Sequence, residues 1–469
     1  MSNQSKLKAL REEVRDITKE IIKLASLRLS ITKEIDVIKR SMNLPIIDYE
    51  AERDLKNSII NTCKKYHVDE QFGIRLLNIL IDESVRMQKS INKNQKTIGV
   101  IGMFTLAKKL EREGNSIIHL EVGEPNFGPP EIVKKTTCAA IEKGFTHYTE
   151  PSGIPELREG IANYLNKRSK IYIRPEQVAV TSGARLSIFA SILSILSSGD
   201  EAIVIQPAWP AYIDCIDSAG SRVILVKTKL EDNWEIDLES LSNIINESTK
   251  LIVINYPNNP TGKILEKKNL KTIVELAKER NITILSDEVY LDYAFESYYS
   301  ILEFHDCKSI YVSSFSKSYG MTGFRIGYAV SDIETIEKIS KIQALTSTSV
   351  PEFIQHAAKE ALRCEKDVKN YVNIIKKRIN LICKELKKMK LPYYKPDGAF
   401  YVFPQISQDN TFNIEKFSFD LLKDKGVCIA PGTTFGDYPN FIRISACQEE
   451  DIILEGLNRI SNLLFRENL

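Results

Sequence analysis

The apolar pattern of this chain changes period near residue 95, and that change limits the folds open to it. Residues 6–41, about 48–66 and about 69–92 carry apolar side chains at helical spacing. In the first stretch Leu7, Leu10, Val14, Ile17, Ile21, Leu24, Ile31, Ile35 and Ile38 follow one another in steps of three, four and seven. Pro45 is the only proline before Pro125, and it falls in a turn, Asn43-Leu-Pro-Ile, between the first two helices. Asp48 and Asp69 then stand where helix N-caps are wanted. At 1.5 Å per residue the first helix reaches about 50 Å, too long to bury its stripe alone. The pattern therefore predicts an all-α, three-helix unit that forms an intertwined dimer rather than a monomeric hairpin.

Beyond the stretch Lys89–Thr105, which is polar at first and reads as a linker, the pattern alternates between strand and helix. Strands are predicted at Gln177–Thr181, Glu201–Ile205, Val223–Lys227, Leu251–Asn255, Thr283–Ser286, Ser309–Ser313 and Arg325–Val330. Helices are predicted at Ile154–Arg168, Arg185–Leu196 and Leu270–Arg280. From about residue 332 long amphipathic helices follow, such as Asp367–Lys390, and then a strand pair, Ala399–Phe403 with Phe441–Ser445. This is the pattern of an α/β unit: a large domain built on a mainly parallel sheet, and a smaller α+β domain. The division predicted is 1–95 for the helical unit and 96–469 for the rest. Within the latter the large domain covers about 121–330 and the small one about 100–120 and 331–469.

Composition narrows the class. A chain of 469 residues exceeds one ordinary core, and 43% hydrophobic with 27% charged residues is the balance of a soluble globular protein. A net charge of +2 provides no field for nucleic acid. The N-terminus has no apolar signal region and no uncharged apolar run of about 18 residues occurs, which points away from secretion and membranes and toward the cytoplasm. Eight cysteines lie scattered without CxxC spacing or clustered histidines, a distribution of reduced thiols rather than disulfides or a metal site.

Chemistry concentrates in four motifs. Tyr311-Val-Ser-Ser-Phe-Ser-Lys317-Ser-Tyr-Gly-Met-Thr-Gly-Phe-Arg325 runs from a strand into a Ser-rich turn with one lysine, and an arginine follows eight residues later. This suits an amine that bonds to an aldehyde cofactor, with hydroxyls and a guanidinium to hold its phosphate. Such an amine must be partly deprotonated near neutral pH, hence desolvated and beside other cations. Ser182-Gly183-Ala184-Arg185 joins a strand to a helix, where backbone N–H groups and the helix N-terminus can meet a phosphate. Asn255-Tyr-Pro-Asn-Asn259-Pro-Thr-Gly262 makes a sharp turn after a strand, and Ser286-Asp287-Glu-Val-Tyr290 ends the next one. Singly each has a plain alternative: a surface lysine, a tight turn, a helix cap. Their order along the chain is what gives them weight.

Together these motifs resemble the class I/II aminotransferase family of pyridoxal-phosphate enzymes (fold type I), over roughly residues 100–469. The resemblance implies that Lys317 bonds to pyridoxal 5'-phosphate and serves as general base. It implies that Asp287 pairs with the ring nitrogen, that Asn259 and Tyr290 reach the phenolic oxygen, and that Trp209, in Gln-Pro-Ala-Trp-Pro-Ala-Tyr, stacks on the ring. Gly183, Ala184, Arg185, Ser314 and Arg325 would hold the phosphate. Tyr148 would reach the phosphate of a neighbouring subunit, which makes a homodimer part of the expectation. Arg443, in Phe-Ile-Arg-Ile-Ser, fits the arginine that grips the α-carboxylate of an amino acid or 2-oxo acid, with Gly123 close by and Asn259 shared with the substrate.

Residues 6–92 resemble the all-helical chorismate mutase family through Arg11, Arg28, Lys39, Asp48, Glu52, Ser84 and Gln88. Chorismate is a dianion that rearranges with no proton transfer and no covalent catalyst. A pocket of cations and donors need only hold the compact conformer and stabilise charge on the ether oxygen. Arg28 and Lys39 lie about three turns apart and share a face, as do Ser84 and Gln88 at i, i+4. The resemblance implies that Arg28, with Arg11 of the partner subunit, binds carboxylates. Lys39 and Gln88 would address the ether oxygen, and Asp48, Glu52 and Ser84 would complete the pocket. One departure is Ala51, where the family usually has arginine: either the missing cation weakens catalysis at a dianion pocket, or Arg53 compensates by reaching around. The whole implies a fused enzyme: chorismate to prephenate in the helices, then amino transfer to prephenate, phenylpyruvate or 4-hydroxyphenylpyruvate. The alternative is a general aspartate aminotransferase with a non-catalytic helical arm.

Overall fold

A computed structural model describes residues 3–42, 49–91, 99–169, 171–304, 306–409 and 411–465. The chain forms two compact units, Met1–Lys96 and Thr97–Leu469.

The first unit holds α1 (Asn3–Ser41), α2 (Tyr49–Tyr66) and α3 (Glu70–Ile91). α3 packs on both other helices and buries Ile74, Leu77 and Ile81. Gly73 allows the close approach of α3 to α2, since a Cβ there would fall on the Cys63 sulfur. Asp69 caps α3, its Oδ1 accepting the Phe72 N–H at 2.8 Å. The Pro45 turn and the second expected cap, Asp48, lie outside the described residues. Within one chain the apolar stripe of α1 stays in solvent from Leu7 to Ile38, and Val14 and Leu24 are each 63% exposed. The period that makes the helix amphipathic is thus not satisfied by α2 and α3.

The second unit opens with helix Val100–Arg112, which buries Met103 and Ala107. The expected linker Lys89–Thr105 is therefore corrected at both ends, since α3 runs to Ile91 and the next helix begins at Val100. The polar run Asn-Lys-Asn-Gln-Lys masks helical spacing at Met103, Leu106, Ala107 and Leu110.

Strand β1 (Ile118–His119) precedes the main sheet, which comprises β2 (Val178–Thr181), β3 (Glu201–Gln206), β4 (Arg222–Lys227), β5 (Thr249–Asn255), β6 (Thr283–Asp287), β7 (Ser309–Ser314) and β8 (Gly327–Val330). Their spatial order is β2-β8-β7-β6-β5-β3-β4, and only β8 runs antiparallel to its neighbours. Buried on both faces, the central strands read as nearly unbroken apolar runs, Leu251-Ile-Val-Ile in β5 and Ile284-Leu in β6. The register places Asn255 beside Asp287 and Asp287 beside Val312, so three strands deliver their motif residues to one edge.

The expected strand Arg325–Val330 starts late, at Gly327, because Arg325 takes a left-handed conformation (φ 55°) that ends a short turn. The domain border near 330 also falls too early. Helices Ile333–Thr346 and Glu352–Ala361 bury Ile336, Ile339, Ala357 and Ala358 in the clusters of the large sheet. The smaller lobe gathers its own core under helices Glu365–Lys388 and Glu450–Leu464. It contains β9 (Tyr401–Val402), β10 (Val427–Cys428), β11 (Ala430–Pro431) and β12 (Ile442–Ser445), with β1 parallel to β10 and β12 between β11 and β9. The predicted strand pair is present as β9 and β12, antiparallel, with Val402 opposite Ile444.

Candidate active site

A cleft of about 690 Å³ opens at the C-terminal ends of the parallel strands, lined among others by Gly123, Asp287, Lys317, Arg325, Tyr401 and Arg443. Lys317 sits on a one-turn helix directly after β7. Ser314 caps that turn, its Oγ accepting the Ser316 N–H at 2.9 Å and donating to the Ile326 carbonyl at 3.3 Å. The Lys317 amine donates to the Gly123 carbonyl at 2.7 Å. Burial holds that amine below the usual lysine range, and Arg443 and Arg325 nearby add to the effect against the pull of Glu124.

Asp287 ends β6 almost wholly buried. Its Oδ2 accepts the Tyr212 hydroxyl at 2.6 Å and its main-chain carbonyl accepts the Asn255 amide at 2.9 Å. Burial raises its pKa to about 6, while the bonds from Tyr212 and the Val289 N–H and the charge of Lys317 pull it down. Its Oδ1 accepts the Val289 N–H at 3.3 Å, as a local cap would, and Asp287 also lines the cleft.

Arg443, on β12, donates to Asn259 Oδ1 at 2.8 Å and to the Glu121 carbonyl, and its guanidinium lies 4.2 Å from the Tyr401 ring centre. Its Nε is buried without a hydrogen-bond partner. Tyr290 and Tyr401 share a hydroxyl contact of 3.0 Å at the same wall. Around the β2 turn, Gly183 has φ 83°, and a Cβ there would come within 2.6 Å of Arg325 Nη2. A glycine is required at that point for both conformation and room. The helix Ala184–Ile195 starts on this turn, so its first N–H groups stand beside Arg325, an arrangement that could hold a phosphate. Arg185 stacks its guanidinium 4.7 Å over Trp209, whose ring meets Tyr212 edge-on at 5.4 Å.

The structure thus brings Gly123, Ala184, Arg185, Trp209, Asn259, Asp287, Tyr290, Ser314, Lys317, Arg325 and Arg443 to one cleft, with Gly183 immediately behind. Tyr148 is not in its wall; it stands 87% exposed. Sequence reasoning missed Tyr212, Asn255, Ser316, Tyr401 and Glu121. Tyr212, Asn255 and Ser316 lie inside motifs already singled out and Glu121 two residues before Gly123, whereas Tyr401 carries no local signal.

In the helical unit Arg28 and Ser84 meet. Arg28 Nη1 donates to Ser84 Oγ and to the Leu80 carbonyl, each at 2.6 Å, and burial lowers its proton affinity. Lys39 and Glu52 are half-buried, while Arg11 and Ala51 are exposed. Asp48 and the side chains of Gln88 and Arg53 lie outside the described residues.

A doubly faced, mainly parallel sheet that gathers a desolvated lysine, a buried carboxylate and a guanidinium-backed glycine turn defines an α/β transferase built for a phosphorylated cofactor. The family model for aminotransferase class I and II matches residues 115–460, and the chain belongs to that family of pyridoxal-phosphate-dependent enzymes. Chorismate mutase type II matches residues 10–89, so a domain of that family precedes it. Among its relatives, the aspartate aminotransferase of Thermotoga maritima is 39% identical over 361 residues, 76% of this chain and 94% of that protein. The probable aspartate/prephenate aminotransferase of Aquifex aeolicus is 37% identical over 370 residues, 76% and 93% of the two chains. The solved Thermotoga maritima aspartate aminotransferase superposes with a TM-score of 0.74 at 37% identity, covering 79% of this chain and 97% of that one. An aromatic aminotransferase of Pyrococcus horikoshii gives 0.72 at 33% identity, covering 77% and 99%.

Proposed function

We propose that this protein is a cytoplasmic homodimer that converts chorismate to prephenate in its helical domain and transfers an amino group to an aromatic-pathway 2-oxo acid in its larger one. The observation that carries the second activity is Lys317 and Asp287 facing one cleft, the amine below its ordinary proton affinity and the acid buried at the strand end. These residues fit pyridoxal 5'-phosphate, and the Gly183 turn against Arg325 fits its phosphate. When bound, that group supplies an aldehyde and an electron-withdrawing ring.

The chain's own residues do the rest. Arg443 takes the α-carboxylate in a bidentate grip, at a guanidinium whose Nε has no partner until then. Lys317 takes the α-proton as general base and returns it, its lowered proton affinity suiting the task near neutral pH. Asp287 would pair with the ring nitrogen and, ionised, would favour the ring's protonated state. Asn259 and Tyr290 would donate to the phenolic oxygen, and Trp209 would pack on the ring face. Tyr148, exposed in one chain, would reach the phosphate at a partner's site in the proposed dimer. In the mutase domain Arg28 and Ser84 form the start of a carboxylate site, and the uncovered stripe of α1 favours an intertwined dimer that brings Arg11 of the partner subunit to it.

The reading of the acceptor rests on the fusion itself, because prephenate is what the first domain would release, and on the prephenate in the name of the Aquifex aeolicus relative. A general aspartate aminotransferase with a helical arm is the second reading, favoured by the Thermotoga maritima relative. The test is kcat/KM for a panel of 2-oxo acids with glutamate and aspartate, prephenate included, alongside chorismate consumption by the full chain. High oxaloacetate turnover beside flat aromatic activity, with chorismate untouched, overturns the first reading.

A further inference from the structure

The segment 119–123 threads between β10 and β12, and three of its carbonyls anchor the cleft. The Leu120 carbonyl accepts the Ser445 N–H at 2.8 Å, the Glu121 carbonyl accepts the Arg443 guanidinium, and the Gly123 carbonyl accepts the Lys317 amine at 2.7 Å. The aim of Arg443 therefore depends on how the Glu121 peptide is held.

Side chains hold it. Glu121 is wholly buried, and its Oε1 lies 2.7 Å from His119 Nδ1. The other ring nitrogen of His119 lies 3.0 Å from Glu111 Oε1 on helix Val100–Arg112, and Lys108 binds the second oxygen of Glu111 at 2.8 Å. A carboxylate with no access to water needs a cation or donors, and among the side chains bonded to Glu121 His119 is the cationic one. The bond to Glu121 raises the proton affinity of His119 above the usual histidine value, against the opposing effect of burial. Residues 119 and 121 point to the same side of an extended segment, as alternation requires, so the pair can clamp the peptide between them.

We propose that His119 is a positioning residue for substrate recognition: by bridging Glu111 and Glu121 it fixes the Glu121 carbonyl that aims Arg443. The inference rests on the reading of Arg443 as the carboxylate-binding residue. It concerns neither the cofactor nor the proton-transfer step, and that separates it from a general effect on packing.

The test is a double-mutant cycle on the holoenzyme. His119→Gln keeps one neutral donor and breaks the bridge; Glu111→Gln weakens it from the outer end and keeps the proposal falsifiable should the first variant fold poorly. In each, KM for the amino donor and for the 2-oxo acid should rise about fivefold or more, with kcat within about twofold and cofactor content unchanged. Isothermal titration of the holoenzyme with 3-phenylpropanoate, a carboxylate without an amine, should show Kd rising by a similar factor. Added to Arg443→Gln, the His119 change should have no further effect on KM. Unchanged KM in both single variants, or fully additive effects with Arg443→Gln, overturns the proposal. If Arg443→Gln alone leaves KM unmoved, it is the reading of Arg443 that has failed.

Discussion

Replacing Asp287 by asparagine should move stability and activity in opposite directions. Asp287 is buried at the end of β6, and burial lifts its pKa from 3.8 to about 6. Holding it charged in the folded, cofactor-free protein therefore costs about 3 kcal/mol above pH 6, at roughly 1.4 kcal/mol per tenfold change. Below about pH 4 the carboxyl is neutral in both folded and unfolded chains. Between about 4 and 6 the folded chain binds the proton first, so stability falls as pH rises through that window, and the full cost stands above it. Asparagine removes the charge yet keeps an oxygen for the Tyr212 hydroxyl, which now donates at 2.6 Å. Cofactor-free Asp287→Asn should thus be more stable than wild type at pH 7.5 by about 2–3 kcal/mol, an increase in Tm of about 3–4 °C for a unit of this size. The gap should close as pH falls from 6 to 4. With cofactor restored, the same variant should lose on the order of 100-fold or more in transaminase kcat/KM, because no ionised partner faces the ring nitrogen. Denaturation of the cofactor-free forms across pH 4–8 is the assay. A variant less stable than wild type at pH 7.5, or a difference that ignores pH, would refute the reasoning.

Lys317→Ala should abolish transamination and the visible absorbance of the loaded enzyme; an active, still yellow variant sinks the assignment. Gly183→Ala must force a Cβ against Arg325 at a positive φ, and cofactor affinity measured by fluorescence titration should fall about tenfold or more. Arg443→Gln leaves the Glu121 carbonyl and Asn259 without their shared donor and should raise KM for amino and 2-oxo acids about 100-fold. In the helical domain Arg28→Ala should cut kcat/KM for chorismate about 100-fold or more, read from loss of its absorbance, with Arg28→Lys recovering only part because a point charge lacks the fork that meets Ser84 and a carboxylate together.

What the sequence makes legible here is what backbone periodicity and strand-end chemistry encode locally. Two periods, one helical and one alternating with short apolar runs, suffice to place the three N-terminal helices and all seven strands of the main sheet within a few residues. The motif residues Gly183, Asn259, Asp287, Ser314 and Lys317 are legible for a related reason: each ends or follows a parallel strand, where the chain must turn and only certain residue types serve. The supporting residues are not. Tyr212 bonds Asp287 across 75 positions, and Glu121 meets Arg443 across 322, so although each stands near a motif residue in sequence, its own partner is far away along the chain. Any hydroxyl or carbonyl at the right point would serve, which leaves no signature of residue type. The same logic explains the domain border misplaced at 330. Helices Ile333–Thr346 and Glu352–Ala361 are amphipathic like those of the smaller lobe, and periodicity says that a helix has a buried face without saying which sheet covers it. The stripe on α1 shows this most sharply, since its apolar residues are legible one by one from Leu7 to Ile38 and among the described residues of its unit α2 and α3 leave them exposed. A face of that length exposed in one chain is what the proposed dimer would cover, and the proposed mutase site, which draws on Arg11 near the start of α1, would then be completed by the partner.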